Sequence, residues 1–141
     1  MRKDKLKMLI VEDDFISRRI LQGLLSPYGY CDMAKDGMEA IHAFYLAWEE
    51  QAPYDLICLD VMMPEMDGQE ALQRIRDMEK EMGVIGSQEV KVIMVTALDD
   101  MKNIIKAFHE GGATAYIVKP ISKNSLINEM INLGLIDQES F

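Results

Sequence analysis

The 141-residue chain is poor in cysteine, proline, aromatic residues and positive charge. Its two cysteines, Cys31 and Cys58, sit in apolar runs with no CxxC partner, which excludes a disulfide scaffold and a zinc site. They read as small buried hydrophobes. With 15 Lys+Arg against 24 Asp+Glu the net charge is −9, and no basic stripe compensates it. That excludes direct nucleic-acid contact and anionic-membrane binding, which need Lys and Arg to neutralise phosphate. No apolar run approaches the ~20 residues that span a bilayer. Met1–Lys5 leads into only a short apolar run, without a secretory h-region or cleavage site. Repeats, low-complexity tracts and a Pro/Ser/Gly-rich linker are also missing. The chain therefore reads as one domain, 1–141, with a core over about 6–133 and a short tail over 134–141. What remains is an acidic cytoplasmic protein without membrane insertion, and its 49% hydrophobic content is that of a folded globule.

Short apolar runs alternate with amphipathic stretches. Leu6–Val11, Gly29–Ala34, Leu56–Leu59, Val92–Val95 and Ala115–Val118 read as strands, continuous in apolar character rather than alternating. Between them lie five helical patterns. The first carries Ile16, Ile20 and Leu24 at four-residue spacing, with Leu21 and Leu25. The second opens at the Asp36-x-x-Glu39 cap, with Ala40, Ile41, Phe44, Tyr45 and Trp48 as its apolar face. The third opens at Asp67-x-x-Glu70 and carries Leu72, Ile75, Met78 and Met82. The fourth carries Met101, Ile104, Ile105 and Phe108 and closes at Gly111-Gly112. The fifth starts from Ser122 and carries Leu126, Ile127, Met130, Ile131 and Leu133. Strands alternating with helices predict an α/β fold, an open doubly wound five-stranded parallel sheet with five helices.

The polar residues that interrupt this pattern gather at strand ends. Glu12, Asp13 and Asp14 follow the first strand, Asp60 the third, Thr96 the fourth and Lys119 the fifth. Carboxyl ends of parallel strands share one edge of the sheet, where open α/β folds bind ligands. Glu12, Asp13 and Asp60 around one Lys119 carry a local charge of −3 + 1 = −2, which a hard divalent cation with oxygen ligands relieves. No Cys or His stands nearby to favour a softer metal. A carboxylate beside Mg²⁺, Lys and Thr is equipped to attack a phosphoryl group and form an acyl phosphate. Asp14 reads as an ordinary helix-start residue and stays outside this set. His42 and His109 lie on predicted helices as surface residues, and the methionines read as core packing.

Val11-Glu12-Asp13-Asp14, the run from Leu59 to Gly68, Val95-Thr96-Ala97 and Ala115 to Pro120 together resemble the receiver domains of two-component response regulators. The likeness extends from about Lys7 to Leu133 and is nearest in architecture to the stand-alone chemotaxis type. It implies a flavodoxin-like fold with strand order 2-1-3-4-5. It also implies that Asp60 accepts phosphate from a histidine kinase or histidine phosphotransfer protein, in a reaction needing Mg²⁺ or Mn²⁺. Asp13, Asp60 and the backbone carbonyl of Met62 would bind the metal, with Glu12 acting through water. Lys119 would hold a phosphate oxygen and pair with Asp60 beforehand. The Thr96 hydroxyl would bind another oxygen, and Tyr116 would be the switch aromatic. Lys119–Pro120 would be a cis peptide. A protein target would read the face formed by the fourth helix, fifth strand and fifth helix. The chain would thus be a signalling protein, not an enzyme beyond its own phosphorylation and dephosphorylation. A phosphorelay intermediate is the alternative. An aspartate-nucleophile phosphatase is remote, because its second Asp would stand where Met62 does. A flavin-nucleotide binder is remote too, because Glu12-Asp13-Asp14 replaces its phosphate cradle. The stretches Asp36–Asp60 and Asp60–Thr96 are longer than the family's usual ones, the second around Glu79–Glu89, and are expected to lie away from the phosphorylation edge.

Overall fold

In a computed structural model describing residues 5–63, 65–97, 112 and 114–137, the five aliphatic runs pair as parallel neighbours. They are β1 (Leu6–Val11), β2 (Gly29–Ala34), β3 (Leu56–Asp60), β4 (Lys91–Thr96) and β5 (Ala115–Val118). The order across the sheet is β2-β1-β3-β4-β5, so the direction of winding reverses between β1 and β3. Successive side chains of a strand point to opposite faces, which is why β1, β3 and β4, covered on both sides, are almost wholly apolar, while β2 at the sheet edge keeps Tyr30, Asp32 and Met33 exposed. Leu9, Val11, Ile57, Leu59, Val92 and Met94 enter one core, whereas Met8, Ile10, Leu56, Cys58 and Ile93 enter the other. Gly29 opens β2 where any Cβ would come within 2.0 Å of the Leu6 carbonyl oxygen.

Four α-helices stand among the described residues: α1 (Phe15–Leu25), α2 (Gly37–Glu49), α3 (Gly68–Glu81) and α4 (Lys123–Asn132). The helix expected over Met101–Phe108 lies outside the described residues, so α4 is the fifth helical pattern of the sequence. The N-caps fall where the sequence puts them. Asp36 accepts from the Glu39 amide, Asp67 from Glu70 and Ser122 from Ser125, each taking up an amide that the helix leaves unpaired. α2 and α3 cover one core with Ala40, Phe44, Ala47, Ala71, Leu72 and Ile75. α1 and α4 cover the other with Leu21, Leu25, Leu126, Ile127 and Met130. No helix among the described residues is long and apolar enough to cross a membrane.

Two apolar faces are rotated from their expected setting. On α1 the buried pair is Leu21 and Leu25, while Ile16 and Ile20 are 67% and 52% exposed. Helical neighbours one residue apart differ by about 100°, so two stripes compete, and the one facing β1 is buried. On α2, Tyr45 turns outward and Trp48 is half-buried, leaving Phe44 and two alanines at the sheet.

The connection between β3 and β4 contains an ion pair inside the fold. Glu79 is 0% exposed; its Oε1 accepts from Arg76 at 2.6 Å and its Oε2 from the Val90 amide at 2.7 Å. The Arg76 guanidinium also donates twice to the Gly112 carbonyl, at 3.0 and 2.9 Å. α3 is thereby joined to the entrances of both β4 and β5. Removing one partner leaves an uncompensated buried charge, so Glu79→Ala is expected to cost about 3–5 kcal/mol in urea unfolding. Glu70→Ala, which breaks the exposed Glu70–Arg74 pair, is expected to cost less than about 1 kcal/mol.

Candidate functional site

Strand register builds the site. Val11 pairs with Leu59, Asp60 with Val95, and Thr96 with Val118. Glu12 is therefore level with Asp60, and Lys119 leaves the sheet one residue beyond Thr96. Hydrogen bonding continues past each strand end: Glu12 N–H donates to Ala34 O, Val61 to Val95 O and Lys119 to Thr96 O. The β3–α3 turn closes as tightly, with the Gly68 amide on Val61 O at 2.9 Å. A Cβ at Gly68 would lie 2.2 Å from the Asp60 carbonyl oxygen, so only glycine lets α3 start against the Asp60 backbone. These bonds bring residues of four strand ends to the edge where winding reverses.

Glu12 and Asp60 are buried there, at 1% and 3% exposure, whereas Asp13 is exposed. Lys119 Nζ lies 3.0 Å from Glu12 Oε1 and 3.5 Å from Asp60 Oδ1, so its ammonium is shared and sits nearer Glu12. The Met62 amide donates to Asp60 Oδ1 at 3.2 Å, and the Met62 side chain is exposed. Thr96 is buried, its hydroxyl donating to Ala97 O at 3.3 Å. Tyr116 is 39% exposed on β5. The Lys119–Pro120 bond is cis. Asp14 caps α1, its carboxylate accepting from the Ser17 amide and hydroxyl, while its own amide donates to Glu12 Oε2 at 3.2 Å.

Burial, then the hydrogen bond and negative charge of Glu12, push the Asp60 carboxyl up to about 7 from an ordinary 3.8, against the pull of Lys119. Burial and Glu12 also raise Asp13. Burial acts to raise Glu12 as well, but hydrogen bonds with Asp60 and Lys119 outweigh it and leave Glu12 below its ordinary value. Lys119 is raised despite its burial, because Glu12 and Asp60 hold its proton. One ammonium does not neutralise three carboxylates, and the excess is felt most at Asp60.

The donor set fits a hard divalent cation. One carboxylate oxygen from each of Glu12, Asp13 and Asp60 lies within 4.8 Å of the others. Oxygens on one Mg²⁺ are at most about 4.2 Å apart, given Mg–O distances near 2.1 Å. Three carboxylate oxygens gathered this closely can converge on one such ion with small side-chain adjustments. Sequence reasoning missed Arg18, whose guanidinium donates to the carbonyls of Glu12 and Asp13 at 2.8 and 3.2 Å. Its signal was a base four residues after Asp14, one helical turn from the acidic run.

A family model described as "Response regulator receiver domain" matches residues 8–131. The chain is 40% identical over 127 residues to the "Probable transcriptional regulator ycf27" of Cyanophora paradoxa, covering 89% of this chain and 47% of that protein. It is 35% identical over 136 residues to the "Hybrid signal transduction histidine kinase B" of Dictyostelium discoideum, covering 92% of this chain and 7% of that protein. The chain thus spans less than half the length of these relatives, and the match defines a domain type rather than a stand-alone chemotaxis architecture. Among solved structures, the co-crystal of the Saccharomyces cerevisiae histidine phosphotransfer protein Ypd1 with the receiver domain of Ssk1 superposes with a TM-score of 0.79, at 31% identity and 97% coverage of both chains.

Crowding of Asp60 against Glu12 makes stability depend on pH when divalent ions are withheld. Between about pH 4 and 7 the unfolded chain ionises Asp60 while the fold keeps it protonated, so stability falls as pH rises and levels off above 7. Asp60→Asn removes the Asp60 share of that slope and leaves that of Asp13, whose carboxyl is also raised. In thermal and urea unfolding with EDTA, wild type is expected to lose about 3 kcal/mol more than the variant between pH 4.5 and 8.

Proposed function

Because the chain belongs to the response regulator receiver domain family, we propose that it is a cytoplasmic signalling switch that takes a phosphoryl group from phosphohistidine onto Asp60. The observation that carries this reading is the buried Asp60 carboxylate, level with Glu12 and within 3.5 Å of the Lys119 ammonium at the sheet's carboxyl edge. An Asp60 oxygen attacks phosphorus while the P–N bond breaks and its electron pair leaves with the imidazole nitrogen, which then takes a proton. Lys119 is placed to move from the carboxylates to a phosphoryl oxygen, and the Thr96 hydroxyl to donate to another. Asp13, Asp60 and the Met62 carbonyl would hold Mg²⁺ or Mn²⁺, with Glu12 acting through water, and the ion would supply the remaining charge neutralisation. The new group brings roughly −1.5 to −2 charges into the pocket. Its contacts with Thr96 and Lys119 favour one of two arrangements of the face carrying Tyr116. That output face comprises β5, α4 and residues 99–111, the last outside the described residues. A groove of about 530 Å³ runs beside Tyr116, bordered by Ser125, Asn128 and Glu129.

The donor must approach the same edge. Phe15, Ile16 and Ile20 are 64%, 67% and 52% exposed on α1. Ser17 and Ile20 face Lys119, Pro120 and Ile121 across a cleft of about 370 Å³. We assign this apolar border to the phosphodonor, a histidine kinase or a phosphotransfer protein of the kind seen with Ssk1. Incubation with acetyl phosphate and Mg²⁺ is expected to add one phosphoryl group by mass spectrometry. Asp60→Ala abolishes it, and persistence of the adduct in that variant refutes the assignment. Ile20→Asp is expected to slow transfer from a phosphohistidine protein at least about tenfold while leaving acetyl phosphate labelling unchanged.

A further inference from the structure

Arg18 lies one turn into α1 and directs its guanidinium back along the helix. Its Nη1 donates to the Glu12 carbonyl at 2.8 Å and to the Asp13 carbonyl at 3.2 Å. The ring of Phe15 lies on it, 5.8 Å from centroid to guanidinium carbon. The countercharge of the carboxylate cluster is a different residue, Lys119, in contact with both Glu12 and Asp60. Glu12 and Asp14 are fixed by other bonds: the Glu12 amide to Ala34, the Glu12 carboxylate to Lys119, and the Asp14 carboxylate to Ser17. Asp13 stands between them, exposed, with its peptide carbonyl on Arg18.

We propose that Arg18 is a positioning residue for the divalent-cation site, clamping the Glu12–Asp13 backbone so that the exposed Asp13 carboxylate stays beside Glu12 and Asp60. The inference rests on the cation-dependent reading of the site. A carboxylate on a free loop must be ordered when it binds an ion, and that ordering weakens affinity. A carboxylate whose backbone is already held avoids the loss. Both bonds come from the one Nη1 nitrogen, so a lysine ammonium that reaches the same point can restore part of the clamp.

The sign of the effect separates this role from simple charge. Removing a cation near an acidic site strengthens metal binding if charge alone matters, and weakens it if loop geometry matters. Mn²⁺ affinity of the full chain is read from the free-ion electron paramagnetic resonance signal, for wild type, Arg18→Met, Arg18→Lys and Arg19→Met. Arg19 is the exposed neighbour, and its variant has the same net charge as Arg18→Met. The expected result is about a tenfold weaker Mn²⁺ affinity for Arg18→Met, partial recovery in Arg18→Lys, and unchanged or tighter binding in Arg19→Met. Melting temperatures in EDTA are expected to stay close to wild type for all three. Equal or tighter Mn²⁺ binding by Arg18→Met overturns the positioning role, as does a loss matched by a fall in the EDTA melting temperature. Absence of Mn²⁺ binding by wild type instead overturns the cation-dependent reading on which it stands.

Discussion

Parallel strand register forces two carboxylates together. Glu12 follows Val11, Asp60 follows Leu59, and Val11 and Leu59 are paired, so the two acids stand side by side wherever the sheet forms. Hydrophobic burial of β1 and β3 supplies the free energy that holds them there, and a single lysine arriving from β5 offsets only part of their repulsion. Much of the edge is arranged around that conflict. Asp60 is pushed above the usual carboxylate range, Glu12 takes the nearer share of the ammonium, and the Asp13 carbonyl is hydrogen-bonded from α1. A site strained in this way favours whatever brings positive charge or separates the acids. Under the proposed function, that excess of negative charge is what a divalent cation would relieve.

The sequence was most legible where one physical cause dominates. β1, β2 and β5 end where their apolar runs end, and the N-caps at Asp36, Asp67 and Ser122 follow from side-chain oxygens placed to meet free amides. Placing Glu12, Asp60, Thr96 and Lys119 on one edge needed only the inference of parallel strands, because each residue directly follows or ends its run. Burial on α1 was less legible. Ile16–Ile20–Leu24 and Leu21–Leu25 are both apolar stripes, and which one meets the sheet depends on how α1 settles over β1 and β2. Local sequence does not encode that rotation.

Long-range partners were hidden for a related reason. Arg76 and Glu79 read as part of a charged run in Arg74–Glu81, and nothing local marks them as inward-facing. Only the return of the chain at Val90 and Gly112 gives them their partners. Arg18 was legible only as a base one helical turn after the acidic run, because the backbone carbonyls it reaches carry no sequence signature of their own. The apportioning of Lys119 between Glu12 and Asp60 is likewise a matter of side-chain reach across the sheet.

The two apolar layers have different duties. The α2–α3 layer contains Phe44, Leu72 and Ile75, and α3 carries the buried Arg76–Glu79 pair. The α1–α4 layer places Phe15, Ile16 and Ile20 in water beside the acidic edge. Because the sheet separates them, a substitution beneath α2 or α3 acts first on how long the domain persists. Under the proposed docking role, one on the outer turn of α1 acts first on which molecule it meets. A lineage could therefore alter its durability and its choice of correspondent by separate sets of mutations, leaving the carboxylates between them undisturbed.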